Sequence, residues 1–278
     1  MPFGPNPARF PGLALEALSA SEIDSKLETV ARIAHLARSA ALHLHGGFEP
    51  AAPDEPGRPE RPLLVSPRDL ARRSAAGERS HLALIHAIAH IEFNAINLAL
   101  DAACRFPGLP REFYADWLRV AAEEALHFGL LRAHLRSLGC EYGDFPAHDG
   151  LWQMARKTAH DPLVRMALVP RVLEARGLDV SPGMIQRLRA AGDARGAEII
   201  EIILGDEVAH VAIGTRWFRH LCIQRALEPD STFDRLLGEY DAPRPVLPLN
   251  ADARQRANFS QRELSRLEAM ARNARASP

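Results

Sequence analysis

Cysteine is scarce in this sequence, with three in 278 residues (Cys104, Cys140 and Cys222) and no C-x-x-C pair. That excludes a disulfide scaffold, a zinc ribbon and a built-in rubredoxin-type electron carrier. Lysine is scarcer still: of 34 basic residues only Lys26 and Lys157 are lysines. Charge of a single sign is also absent. The formal net charge is -1, so no global field recruits nucleic acid or an anionic membrane. No run of eighteen apolar residues occurs, and MPFGPNPARF has neither the basic start nor the apolar stretch of a signal peptide. A soluble, reduced, cytoplasmic protein without a membrane partner is the expectation. With 47% apolar and 25% charged residues, the chain is long enough to bury a core without covalent staples.

Histidine, by contrast, is plentiful, twelve against three cysteines, so a metal site would use nitrogen and oxygen ligands. The prolines are unevenly placed. Four lie in residues 1–11, and six (Pro50, Pro53, Pro56, Pro59, Pro62, Pro67) lie between 50 and 67. Between them, residues 21–45 read as one amphipathic helix, with Ser21 as N-cap and Gly46-Gly47 as stop. Segment 46–67 reads as an extended strap that wraps a core.

From residue 68 to about 228 the spacing of Ala, Leu and Ile is helical. One helix is predicted over 80–104, ending at Pro107-Gly-Leu-Pro110, and a second over 111–138 with Gly139 as its terminal glycine. A crossover follows, with a short helix near 151–159. Asp161-Pro162 is an N-cap and first-turn proline that opens a third helix, predicted to run to about 178. Ser181-Pro182 repeats that signature and predicts a break with a short extension. Gly192-Asp193 turns into a fourth helix over 194–226. Short, long and short connections describe a ferritin-like four-helix bundle with a long crossover between its second and third helices. The expected class is all-α. The expected parts are an N-terminal helix and Pro-rich strap (1–79), a bundle (80–228), and a C-terminal strap with a terminal helix near 261–275 (229–278).

The second and fourth helices each carry an E-x-x-H unit, Glu124-Ala-Leu-His127 and Glu207-Val-Ala-His210. A separation of three puts carboxylate and imidazole on one helical face. Those faces are otherwise apolar: Trp117, Val120, Ala121, Phe128 and Leu131 around Glu124, and Ile200, Ile203, Leu204 and Val211 around Glu207. An unpaired carboxylate there costs several kcal/mol, and a bound cation removes that cost. Glu92 lies in a similar stripe on the first helix. Glu174, on the third, shares its face with Pro170 and Arg171. Glu92 and Glu124 lie sixteen residues either side of residue 108, so an antiparallel hairpin brings them to one height. The midpoint of Glu174 and Glu207 falls beside the Gly192 turn. Spacings of 32 and 33 residues suggest a duplicated hairpin, each half supplying one Glu and one E-x-x-H.

Four carboxylates and two imidazoles form a ligand set for two metal ions. Hard oxygen donors with one nitrogen per ion suit iron, or manganese in one or both sites. Glu123 and Asp206 directly precede the ligand glutamates and are candidates to orient the imidazoles. A third match, Glu78-Arg-Ser-His81, has polar neighbours and sits far from that level; it reads as charge at a helix start. His86 and His90 lie off the Glu92 face and read as packing or hydrogen-bonding residues. Tyr114, about 15 Å along the helix from Glu124, is too far to be a radical tyrosine at a cluster. The arginines of the tail, Arg254, Arg256, Arg262, Arg266, Arg272 and Arg275, read as a solvated face.

With these residues in view, residues 80–226 resemble the ferritin-like di-iron carboxylate superfamily. More closely, the chain resembles a bacterial ferritin-like family of unknown function. The stretches that carry this are GRPERPLLVSPRDL, HAIAHIEFNAINLALD, AAEEALHFGLLRAHLRSLG, VLEARGLDVSP and GDEVAHVAIGTRWF. The resemblance implies that Glu92, Glu124, His127, Glu174, Glu207 and His210 are metal ligands, and it implies no particular reaction. The expected function is an O2-dependent oxidase or monooxygenase acting on a small or modified organic substrate, with an external electron donor. The alternatives are a ferroxidase or iron-handling protein and a tRNA-modifying hydroxylase, the latter disfavoured by the neutral charge. A homodimer is compatible with the sequence.

Overall fold

The computed structural model describes residues 8–39, 42–44, 52–66, 69–70 and 80–273. The Gly46-Gly47 stop and Glu78 of the third E-x-x-H lie outside the described residues. Among the described residues the fold is all-α, and the strands there are two dipeptides, β1 (Ala8–Arg9) and β2 (Leu42–His43), paired in parallel. The chain divides into two compact units, Met1–Trp152 and Gln153–Pro278.

The first unit holds α1 (Phe10–Ser19), α2 (Ile23–Arg38), α3 (Ser80–Arg105) and α4 (Arg111–Ser137). The helix expected over 21–45 is α2, which stops earlier and gives way to β2, and α1 ahead of it is an additional helix. Pro11 sits in the first turn of α1, where its missing N–H costs nothing. Glu22, not Ser21, occupies the N-cap of α2, without a side-chain cap. A buried amine ties this corner to the core. Lys26 Nζ donates to the carbonyls of Ala17 (2.7 Å) and Leu18 (3.1 Å) and to Asn97 Oδ1 (2.9 Å).

Helices α3 and α4 form an antiparallel hairpin, with α1 against α3 and α2 against α4. Helix α3 is covered on most sides, which explains its near-continuous apolar sequence. By length and composition it is the one helix among the described residues that could cross a membrane; 78% of that stretch is buried inside the fold. Its turn into α4 uses Gly108 at φ +79°. Tyr114 closes that turn, its hydroxyl accepting from Leu109 N and donating to Phe106 O, both at 3.0 Å. At the far end of α4, Gly139 takes φ +77°, while Gly139 N bonds Arg136 O and Cys140 N bonds Leu135 O. This double bond is a Schellman ending.

The segment over 52–66 has no helix or strand, as the prolines dictate, and is stitched down through its backbone. Gly57 N bonds Leu18 O at 2.8 Å, Arg105 reaches Pro53 O, and Trp152 Nε1 reaches Asp54 O. A side chain at position 57 would collide with the Ser19 carbonyl, 2.2 Å from where its Cβ would sit.

The second unit holds α6 (Pro162–Leu168), a π-helical turn (Val169–Glu174), α7 (Ala175–Ala190), α8 (Ala194–Gln224), α9 (Pro229–Glu239), α10 (Ala251–Arg256) and α11 (Gln261–Asn273); α5 (Gly150–Lys157) precedes them across the division. Asp161 caps α6, accepting from Leu163 N at 2.8 Å, and Asp193 caps α8, accepting from Gly196 N at 2.7 Å. The expected break at Ser181-Pro182 is absent: α7 runs straight through Pro182. Proline leaves the carbonyl four residues back, that of Leu178, without its helical donor. Asn250 Nδ2 supplies the missing bond at 3.1 Å. The real irregularity lies earlier, at Pro170, whose carbonyl accepts from Ala175 N, five residues on.

Helices α9 and α10 were not anticipated, and the tail is not simply a solvated face. Arg254 is buried and grips Asp179 through Nε (2.9 Å) and Nη2 (2.7 Å). Ser260 and Glu263 form a capping box for α11: Glu263 N bonds Ser260 Oγ at 3.1 Å and Ser260 N bonds Glu263 Oε2 at 2.7 Å.

Candidate metal centre

In the first unit, α3 presents Glu92 and α4 presents Glu124 and His127, all three buried. His127 Nδ1 lies 3.2 Å from Glu92 Oε2 and 3.3 Å from Glu124 Oε2. One potential ligand atom from each residue lies within 4.8 Å of the others. Burial alone pulls the His127 imidazole toward its neutral form. The hydrogen bonds and charges of the two carboxylates outweigh it and push its pKa up to about 11. The pocket between these side chains therefore demands a positive charge, and an imidazolium proton meets that demand when no other cation does.

This donor set fits a divalent ion. Two carboxylates and an imidazole nitrogen, convergent and screened from water, could together hold a metal ion. The surrounding wall is dry: Ile88, Ala89, Val120, Ala121 and Phe128 are buried. Glu123 is half-buried one residue ahead of Glu124.

In the second unit, α8 presents Glu207 and His210, both buried, with His210 Nδ1 3.8 Å from Glu207 Oε1. Asp206 is half-buried beside them. Glu174 closes the π-helical turn and is half-buried. Among the described residues, Glu174, Glu207 and His210 do not draw together as closely as the trio of the first unit.

The turn that carries Glu174 is held from two sides. Gly214 of α8 receives the Pro170 ring so closely that a Cβ at 214 would lie 2.3 Å from Pro170 Cβ and Cγ. Arg171 is fully buried, its guanidinium 4.5, 4.0 and 4.8 Å from the ring centres of Phe218, Phe233 and Phe259. It also pairs with Glu263 of the capping box. Sequence reasoning counted Pro170 and Arg171 as blemishes on the Glu174 face. They are the parts that shape and anchor it, and the S-x-x-E of the capping box was the visible clue. A π-turn of this kind is often found where a helix must aim a functional side chain.

His86 and His90 are structural neighbours, as expected for residues off the ligand face. His86 Nε2 accepts from Gly143 N at 2.8 Å, and His90 Nδ1 is 2.8 Å from the Tyr142 hydroxyl. Burial pulls the pKa of each down to about 4, so both are neutral at physiological pH. Of the aromatic cluster they join, Phe93, Phe128 and Tyr142, the sequence reading places Phe128 on an apolar helix face and does not reach Tyr142. Tyr142 sits in the crossover, where no periodicity marks a core position.

The fold and these clusters define an all-helical protein with buried Glu/His groups able to hold metal. Residues 19–265 match the family described as "Protein of unknown function (DUF455)". The chain belongs to that family. An uncharacterized protein of Haemophilus influenzae is 51% identical over 213 residues, which cover 74% of this chain and 74% of that protein. No solved structure matches the chain.

Proposed function

We propose that this protein is a di-iron carboxylate oxidoreductase of ferritin-like architecture, an O2-dependent oxidase or monooxygenase on a small organic substrate. The observation that carries this reading is the buried Glu92–Glu124–His127 trio, with two carboxylates converging on one imidazole nitrogen. The second E-x-x-H, Glu207 and His210, repeats that chemistry on a second hairpin. In this reading Glu92, Glu124, His127, Glu174, Glu207 and His210 hold two iron ions, with manganese in one or both places as the variant composition. When bound, such a pair supplies the electrons that reduce O2. The protein brings the carboxylates together, orients the imidazoles through Glu123 and Asp206, and keeps bulk water away with its apolar walls. Cys104, Cys140 and Cys222 are all free thiols and are buried, which fits a reduced, cytoplasmic setting and an external electron donor. A homodimer suffices as the assembly.

The test is metal analysis of protein expressed with iron, manganese and zinc supplied together, followed by O2 uptake on adding Fe(II) anaerobically and then admitting air. Two ions per chain and rapid O2 consumption are expected. Glu124→Gln should lose both, because the carboxylate on which the trio depends is gone. Protein carrying only zinc, or retaining full stoichiometry in Glu124→Gln, would sink the reading. A hollow multi-subunit shell in light scattering would turn it toward iron storage.

A further inference from the structure

We propose that the first unit carries a second binding site, a pocket for a neutral, planar heteroaromatic molecule of fused two-ring size. The pocket lies between the proline-rich segment and helix α3. Arg58, Pro59, Pro62 and Leu64 form one side of it. His90 and Phe93 of α3, with Tyr142 of the crossover, form the other. None of the candidate metal ligands lines it.

Size comes first. The cavity measures about 230 Å³. A buried apolar cavity of about 150 Å³ takes one benzene molecule. The pocket therefore accommodates a ring system about half as large again, the size of an indole or quinoline.

Shape and surface come next. Phe93 and Tyr142 lie 5.5 Å apart at an interplanar angle of 36°, and Pro59 and Pro62 also line the cavity. Flat aromatic and pyrrolidine surfaces favour a flat apolar guest. The rim is apolar as well: Leu63 is 59% and Leu64 42% exposed, an unusual cost for two adjacent leucines on a segment pinned at its backbone. That pinning is direct, since Val65 N bonds Ala147 O at 2.8 Å and Ala147 N bonds Leu63 O at 3.0 Å. A ligand seated at the mouth would cover part of both side chains.

The polar groups decide the chemistry. The Arg58 guanidinium lines the cavity and offers N–H donors to a ligand acceptor. Its charge is already met, by Asp149 Oδ1 at 2.6 Å and Glu55 Oε2 at 3.7 Å, and Glu60 also lines the cavity. A carboxylate ligand would add negative charge to an acidic surround. A neutral carbonyl or ring nitrogen would satisfy the N–H without that repulsion. On the other side, His90 Nε2 lies 3.1 Å from the His148 carbonyl and 3.0 Å from Asn94 Nδ2, and His90 Nδ1 lies 2.8 Å from the Tyr142 hydroxyl. That hydroxyl both donates and accepts, so with one bond to His90 it keeps a second for the polar edge of a ligand. A flat ring with one acceptor and one donor meets both.

The probe is 2-quinolone, a neutral fused-ring lactam. Indole, which lacks the carbonyl, and quinoline-2-carboxylate, which adds a charge, are its comparisons. Titration followed by ligand-detected NMR and calorimetry should show one 2-quinolone site per chain with Kd of roughly 0.1–1 mM, typical of an eleven-atom ligand. Indole and the carboxylate should bind at least about fivefold more weakly. Leu64→Trp, at the exposed rim, should keep its far-UV circular dichroism and weaken 2-quinolone by about tenfold or more by filling the mouth. Tyr142→Phe should weaken 2-quinolone, and indole as well, because both carry a ring N–H for that hydroxyl. Affinity should be the same in metal-stripped and metal-loaded protein. Absence of saturable binding overturns the proposal. So does equal binding to Leu64→Trp, preference for the carboxylate, or binding that appears only after metal loading.

Discussion

Lys26 ties the stability of the fold to pH. Its side chain is wholly buried, with three oxygen acceptors around Nζ and the Phe93 ring 5.8 Å away. Burial, with a smaller contribution from the charge of Arg58, pulls its pKa from 10.5 down to about 7. The unfolded chain then holds this proton up to 10.5, while the folded chain releases it near 7. Between those limits the unfolded state binds more protons, so stability rises with pH by up to about 1.4 kcal/mol per pH unit. Below pH 7 both states are protonated and the slope vanishes; above 10.5 it vanishes again. The measurement is urea unfolding of the natural protein and of Lys26→Met from pH 6 to 10. The natural protein should gain a few kcal/mol relative to the variant across that range. Because the chain has one other lysine, Lys157, ¹⁵N-Nζ spectra give an independent reading. Lys26 should titrate near 7. A Lys26 resonance titrating beside Lys157 near 10.5, or a stability difference flat with pH, would refute the argument.

Arg171→Met strands Glu263 beside an aromatic cage and should cost about 3–5 kcal/mol, with more than half recovered in Arg171→Met/Glu263→Gln; thermal unfolding of the cycle checks it, and additive losses would contradict the pairing. Gly214→Ala gains helix propensity of about 1 kcal/mol but drives a methyl into Pro170. Net destabilisation of about 1–3 kcal/mol is expected from chemical denaturation, and a neutral result would show that the π-turn yields easily. Asn250→Ala removes the donor that serves Leu178 O and should cost about 1–2 kcal/mol. In a Pro182→Ala background, where the helix supplies its own N–H, the loss should shrink in the same assay.

The α3–α4 hairpin was legible because it is local. Apolar periodicity, Gly108 and Gly139 mark its helices and ends, and residue counting puts Glu92 and Glu124 at equal distances from the turn. The E-x-x-H units were legible for the same reason, since a separation of three is a property of the helix itself. The third and fourth helices were read in outline, but Pro182 was given the wrong meaning. A proline inside a helix costs less when another donor takes up the carbonyl it leaves, and here Asn250, 68 residues further on, does so. The same blindness to distant partners hid α9 and α10 and made Arg254 look like a surface charge.

What the sequence alone determined is therefore an all-helical chain with two acid–imidazole pairs on apolar faces. Those follow from short-range spacing and from the cost of burying charge. Tertiary structure alone decided how the acids meet, how Pro170 and Arg171 shape the turn bearing Glu174, and that the proline-rich segment walls a cavity. Each of those depends on contacts between residues tens of positions apart, whose free energy is realised only once both partners are buried together.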